Sequence, residues 1–190
     1  MADDKPILAF TSQRRWESWL KANHLKSSGI WLRFAKKGSG LKSVTYAEAV
    51  ESALCYGWID GQALKDTDTT YLQKFTPRAK RSMWSKINRQ KALVLIENGR
   101  MQPAGLAEIE RAKLSGRWES AYDSWATMTV PQDLQSALDA NPAAKAFFET
   151  LTSRNRYAIL FRLHSAKKTE TRERRLQQYI DMLERQQKLH

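Results

Sequence analysis

The sequence predicts an α+β protein: a small antiparallel sheet packed with helices in the N-terminal half, and a helical C-terminal half. Three observations lead there. In "SSGIWLRFAKKGSG", Ile30, Leu32 and Phe34 point one way while Trp31, Arg33 and Ala35 point the other, the alternation of a strand. Two more strand-like runs, "WIDGQAL" and "TYLQKFT", flank "KDTDT", whose short polar residues favour a turn. Beyond Arg81 the apolar period lengthens to that of helices. Strands early and helices late mark the α+β class.

Taken in order, "TSQRRWESWLKANH" reads as a first helix, capped by Thr11 or Ser12, with Trp16, Trp19 and Leu20 on one face. The strand at 30–36 ends at "KKGSG". "TYAEAVESALCYG" opens with a capping box, Thr45 with Glu48, and its expected buried stripe is Ala47, Val50 and Leu54. Gly57 suits the left-handed residue that closes such a helix. "SMWSKINRQKALVLIENG" predicts a helix from a capping Ser82 to Gly99, or an earlier start with Thr76 as cap and Pro77 at the first helical position. "PAGLAEIERAKLSG" is a short helix between Pro103 and Gly116, and "RWESAYDSWATMT" is irregular, with Trp118, Tyr122 and Trp125 expected to pack. "VPQDLQSALDANP" and "AAKAFFETLTSRNRYAILFRLHSA" read as helices, the second with a break near Ser153–Asn155. The last helix, "TETRERRLQQYIDMLERQQK", should bury Leu176, Ile180 and Leu183. The expected division is an α+β unit over 1–100 and a helical unit over 101–190, packed as one globular body.

A hydrophobic fraction of 42% supports a core and argues against general disorder. No apolar run approaches the roughly 20 residues that span a bilayer. "MADDKPILAF" places acids where a secretory signal carries bases, so a cytoplasmic protein is expected. Cys55 is the single cysteine, which leaves no internal disulfide and no all-cysteine metal cluster. It reads as an inert buried thiol. His24, His164 and His190 share no metal-ligand spacing, and no nucleophile motif or phosphate-binding glycine loop is present. No cofactor and no catalytic set is expected.

The formal charge of +12 points to an anionic partner. From Arg78 to Lys91 the chain holds Arg78, Lys80, Arg81, Lys86, Arg89 and Lys91, and no Asp or Glu. Were the helix to start at Ser82, its free amides would carry partial positive charge, and Ser82, Ser85, Lys86 and Arg89 would share a face. The same pattern fits a solvated helix end. In "GWIDG", Trp58 and Asp60 share a strand face, and a half-buried Asp60 needs a partner such as Arg78 or Arg81. That pairing would be structural, or would orient a donor toward a ligand. The candidate ligand-binding set is Trp58, Asp60, Gly61, Arg78, Arg81, Ser82, Trp84, Ser85, Lys86, Asn88 and Arg89. In "AKKTETRERR" acids and bases can pair along a helix, and no aromatics are interleaved for base stacking.

"ALCYGWIDG", "FTPRAKRSMWSKIN", "NGRMQPAGLAEIERAK" and "AKKTETRERR" resemble signatures of the YdeI/OmpD-associated, or bacteriocin-protection, family. The resemblance runs from "WESWLKANH" to the last helix, and the segment from Val130 to about Leu183 is similar to the helical module of that family. It implies a bacterial soluble protein linked to survival of bacteriocins or cationic antimicrobial peptides, with an envelope porin among the implied partners. The positions that match its motifs are Trp58, Asp60, Gly61, Thr76, Pro77, Arg78, Ser82, Trp84, Ser85 and Asn88. Ala79 and Met83 depart from it, standing where an Arg and an Asn are common. Three functional readings remain: a stress-protection protein that binds an anionic small molecule or acidic protein, a nucleic-acid-binding protein, and an enzyme that uses Asp60.

Overall fold

The structure, a computed structural model, describes residues 4–124 and 127–189. Trp125 and His190 lie outside the described residues. The chain forms two compact units, 1–121 and 122–190. The expected boundary at residue 100 therefore moves to 121/122, because the helix that follows Pro103 packs into the first unit.

Unit 1 begins with β1 (Ile7–Ala9), α1 (Gln13–Asn23), β2 (Ile30–Ala35) and α2 (Tyr46–Cys55). It continues with β3 (Trp58–Lys65), β4 (Thr70–Pro77), α3 (Lys86–Glu97) and α4 (Pro103–Leu114). The sheet order is β1-β2-β4-β3, and β2, β4 and β3 pair antiparallel as expected. β1 was not expected and pairs parallel with β2, so the sheet is mixed. Its three residues are too few to show an alternation.

Register decides which side chains meet the helices. Ile30 pairs with Phe75, Leu32 with Gln73 and Phe34 with Tyr71, so these share the core face. Trp16 and Leu20 of α1 and Val50 and Leu54 of α2 join them in one core. The opposite face carries Trp31, with the Lys74 ammonium 5.6 Å from its ring centroid. α2 begins with the expected capping box: Glu48 N–H donates to Thr45 Oγ1 and Thr45 N–H to Glu48 Oε2. Its buried face is Ala49, Val50, Ala53 and Leu54, while Ala47 is exposed. The stripe is rotated because α2 touches α1, α3, α4 and β3 and must bury a wide arc.

Two glycines permit that packing. Gly57, at φ +72°, closes α2 as expected. Gly105 of α4 lies so close to α2 that a Cβ there would stand 2.4 Å from the Cys55 carbonyl oxygen and 2.7 Å from that of Leu54. Backbone atoms cannot yield as a side-chain tip can. Gly105→Ala should therefore lower the stability of unit 1 by about 2 kcal/mol or more, read as an earlier urea midpoint in tryptophan fluorescence.

Unit 2 holds α5 (Gln132–Ala140), α6 (Pro142–Thr150), α7 (Ser153–His164) and α8 (Thr169–Glu184). The expected break falls between α6 and α7, where Thr152 caps α7 by accepting from Asn155 N–H. Leu134, Leu138, Phe148, Ile159, Leu163 and Leu183 fill the core. α8 buries Tyr179, Ile180 and Leu183, while Leu176 is only partly covered. Arg172 does not pair along its own helix. Its Nε donates to Asp133 Oδ2 at 2.6 Å, its Nη2 to Asp133 Oδ1 at 2.8 Å and its Nη1 to the Leu163 carbonyl at 2.8 Å. This fork ties α5 to α8 and the end of α7, and the hydrogen bonds from Arg172 hold the Asp133 carboxyl below its usual range.

A folded-state pKa below the unfolded one adds stability above the unfolded value, near 3.9, and that stability is lost as pH falls through the folded value. Arg172→Ala should therefore cost unit 2 stability at about pH 7, and the deficit should shrink toward about pH 2 as Asp133 protonates in wild type. Urea unfolding followed by far-ultraviolet circular dichroism at both pH values checks this.

Candidate functional site

The basic segment starts where β4 ends. Arg78 N–H donates to the Gly57 carbonyl at 3.0 Å, one step beyond the pairing of Trp58 with Pro77. Its side chain then turns inward and is only 5% exposed. The guanidinium carbon lies 3.6 Å from the Trp84 ring centroid, and Nη1 donates to the Met83 carbonyl at 3.2 Å. Trp84 packs edge-on against Trp118 at 4.9 Å. From α4, Arg111 Nη2 donates to the carbonyls of Arg78 at 3.1 Å and Ala79 at 3.2 Å, and Arg111 also pairs with Glu108. Burial raises the Glu108 pKa, against the opposing pull of Arg111 and Arg78. Glu108 is thus the ion-pair partner of Arg111.

These contacts correct the expected helix start. α3 begins at Lys86, with Ser85 as its cap: Asn88 N–H donates to Ser85 Oγ at 3.1 Å. Ser82 instead closes a turn, donating its N–H to the Ala79 carbonyl at 2.9 Å and accepting from Ala79 N–H at 3.0 Å. With its hydroxyl so engaged, and with Arg78 and Trp84 drawn into the core, residues 78–84 cannot join the helix. Ser82 therefore lies off the face shared by Ser85, Lys86 and Arg89. Arg89 is held by the Trp118 carbonyl at 3.1 Å. Lys80, Arg81 and Lys86 remain exposed. Among the described residues, Lys80 and Arg81 have no hydrogen bond or ion pair.

Asp60 does not hold an arginine. Tyr46 Oη, at the first turn of α2, donates to Asp60 Oδ2 at 2.6 Å. The register places Asp60 opposite Phe75, up the strand from Arg78, so its carboxylate meets α2. Trp58 is 1% exposed, and its Nε1 donates to the His24 carbonyl at 3.1 Å; it is a core anchor among Trp16 and Trp19. Gly61 sits where the β3–β4 register shifts, and its carbonyl accepts from Gln73 Nε2 at 2.6 Å. Arg78, Ser82, Trp84 and Ser85 thus form one local structure, and the side chains of Trp58 and Asp60 serve others. Cys55 is buried, and burial pushes its thiol up to about 11, as expected of an inert cysteine. Among the described residues, no three His, Cys, Asp or Glu side chains gather as metal ligands.

The sequence reading missed a groove of about 470 Å³ beside α3. It is lined by Glu51 of α2, by Ile87, Lys91, Val94 and Leu95 of α3, and by Arg100 just beyond it. Ile87 is 51% and Val94 42% exposed. The signal was the unbroken apolar run "ALVLI" at 92–96, which sweeps more than a full turn and cannot all face inward.

Residues 8–108 match the family described as Domain of unknown function (DUF8412), more than half of the chain, and the chain belongs to that family. Residues 127–186 match the family described as Bacteriocin-protection, YdeI or OmpD-Associated, so unit 2 carries the module the sequence resembles. "ALCYGWIDG" and "FTPRAKRSMWSKIN" fall within the first match and "AKKTETRERR" within the second. No curated protein and no solved structure matches.

The stack of Arg78 on Trp84 is the contact that shapes the segment. Arg78→Ala and Arg78→Lys should both destabilise unit 1 by about 2 kcal/mol, since an ammonium cannot lie flat on the ring. Urea titration gives both values, and a lysine variant as stable as wild type would refute the stacking role.

Proposed function

We propose that this family member serves a bacterial bacteriocin-protection role by binding an acidic protein or a small anionic ligand at the cationic edge ahead of α3. The match of residues 127–186 supports the role in its coarse form. The binding mode rests on one observation. Arg78 is taken into the core, yet Lys80 and Arg81 stay in solvent ahead of α3, and the segment from Arg78 to Lys91 carries no acid of its own. Such an edge attracts anions and speeds their encounter.

The sign of the charge argues for indirect protection. A chain of net charge +12 repels cationic peptides, so sequestering them is disfavoured. Binding an acidic component is the favoured alternative, and a cytoplasmic location suits it. Among the described residues no helix is long and apolar enough to cross a membrane. Nucleic acid receives less support, because Trp58 and Trp84 are buried and offer no stacking platform. Catalysis by Asp60 receives less support as well, since its carboxylate is tied to Tyr46.

Calorimetric titration of ATP and of poly-glutamate into wild type and Arg81→Glu tests the proposal. Wild type should bind at least one of the two, and reversing Arg81 should weaken that binding about tenfold, with affinity falling moderately as salt rises. Identical heats for the two proteins would overturn it.

A further inference from the structure

We infer that the cavity under the loop between β2 and α2 binds a small phosphomonoester that carries a planar ring, of which a nucleoside monophosphate is the simplest. This site is separate from the edge ahead of α3. It lies at the other end of β4, where Ala35 pairs with Thr70, about 20 Å along the strand from Pro77. The cavity holds about 470 Å³, within the range of small-molecule sites, about 300–1,000 Å³. Lysines and serines of the loop form one side, and Phe34, Tyr46 and Tyr71 belong to the other. Among the described residues, no Asp or Glu lines it.

Charge selects a phosphate. From Lys36 to Thr45 the chain carries Lys36, Lys37 and Lys42 and no acid. Lys36 is engaged, its Nζ donating to the carbonyls of Thr67 at 2.8 Å and Asp68 at 3.2 Å. Lys37 and Lys42 are exposed, and among the described residues neither has a hydrogen bond or an ion pair. The neighbouring acids are committed elsewhere. Glu48 closes the capping box on Thr45, Asp60 accepts from Tyr46 Oη, and Asp66 accepts from Arg33 at 2.8 Å and from Thr70 at 2.7 Å. Asp68, on the turn that Lys36 grips, does not line the cavity. The loop lacks the spacing of a glycine-motif phosphate site. It offers two unengaged ammonium groups, and charge-assisted donors of that kind suit a doubly charged phosphate.

The aromatic wall selects a ring. Phe34 and Tyr71 stack at 5.2 Å with 18° between their planes, and Tyr46 meets Phe34 edge-on at 6.3 Å. Tyr46 is 44% and Leu41 54% exposed, so this wall is open to a planar group that an inorganic ion would leave unused. The loop is also held in shape. Ala35 N–H donates to Ser43 Oγ at 3.0 Å, Ser39 N–H to the Lys36 carbonyl at 3.1 Å and Val44 N–H to the Phe10 carbonyl at 2.9 Å. A loop fixed at both ends and within forms its cavity before a ligand arrives, which lowers the ordering cost of binding. Two unengaged lysines match one phosphate rather than a track of them, which disfavours a nucleic-acid strand.

Calorimetric titration of AMP, ribose 5-phosphate and adenosine into the full chain tests the inference. AMP should bind wild type. Ribose 5-phosphate lacks the ring and adenosine lacks the phosphate, and each should bind at least several-fold more weakly. Lys37→Glu combined with Lys42→Glu should weaken AMP binding about tenfold or more. Lys21→Glu combined with Lys26→Glu makes the same change in net charge on and beside α1, and should leave AMP affinity near that of wild type. Thermal melts verify folding, and Lys37→Gln with Lys42→Gln replaces the loop pair if the charge-reversed protein does not fold.

No heat with AMP, or equal AMP affinity in wild type and the loop variant, would overturn the inference. So would an equal loss in the α1 variant, which would make the effect one of net charge alone. Equal affinity for AMP and ribose 5-phosphate would remove the ring from the site. A single-stranded oligonucleotide that displaces AMP and binds more tightly would overturn the inference in favour of nucleic acid. Arg81→Glu keeps the two proposals apart. AMP binding that falls with Arg81→Glu and ignores the loop pair would overturn the cavity and leave the edge ahead of α3 standing. Loss with the loop pair alone would support the cavity, whatever becomes of the edge.

Discussion

A cation driven inward determines how the middle of unit 1 is built. Six basic residues crowd into the segment from Arg78 to Lys91, and a chain free to choose would leave them all in water. Arg78 instead is buried with its guanidinium over the Trp84 ring. Removing a guanidinium from water is costly unless a ring face, hydrogen bonds and an opposite charge replace its hydration. Here the Trp84 ring face and the Nη1 bond to the Met83 carbonyl replace part of that hydration. Because Arg78 directly follows β4 and its partners are Trp84 and the Met83 carbonyl, a single buried side chain ties the end of the strand to the segment that leads into α3. The backbone consequence is equally local. A residue stacked on the ring six positions later cannot share a continuous helix with it, so α3 is delayed to Lys86.

That delay shapes the surface. Had the helix begun at Ser82, Arg81 would have preceded its open amides and Ser82 would have capped it. As built, those hydroxyls serve the protein itself: Ser82 the turn at Ala79, Ser85 the amide of Asn88. What remains for a ligand is side-chain charge on Lys80 and Arg81, a diffuse feature that attracts anions without dictating their geometry. Further along α3, apolar residues that the core has no room for line a groove.

The sequence displayed much of this architecture. Alternation around Trp31, the Thr45–Glu48 box and the polar turn between β3 and β4 are local signals, and local signals survive into the fold because each is a short-range energetic preference. The break before α7 was visible for the same reason, with Thr152 able to cap. β1 was not visible, since three residues carry no period and its partner β2 is distant in the chain. The site was legible as composition but not as geometry. Ser82 and Ser85 are equally good caps on paper, and the choice between them was made by a tertiary contact, Arg78 on Trp84. Asp60 likewise looked like an arginine partner until the sheet register turned it toward Tyr46. Both errors treat sequence neighbours as space neighbours.

Charge sign links these structural points to the proposed role. A protein with a +12 surface cannot intercept a cationic peptide by attraction, and the distance over which it would repel one is a Debye length, about 8 Å at physiological salt. What it can do is compete. A cationic bacteriocin and a cationic protein seek the same acidic surfaces, so a resident protein that occupies or remodels an acidic component alters what the peptide finds.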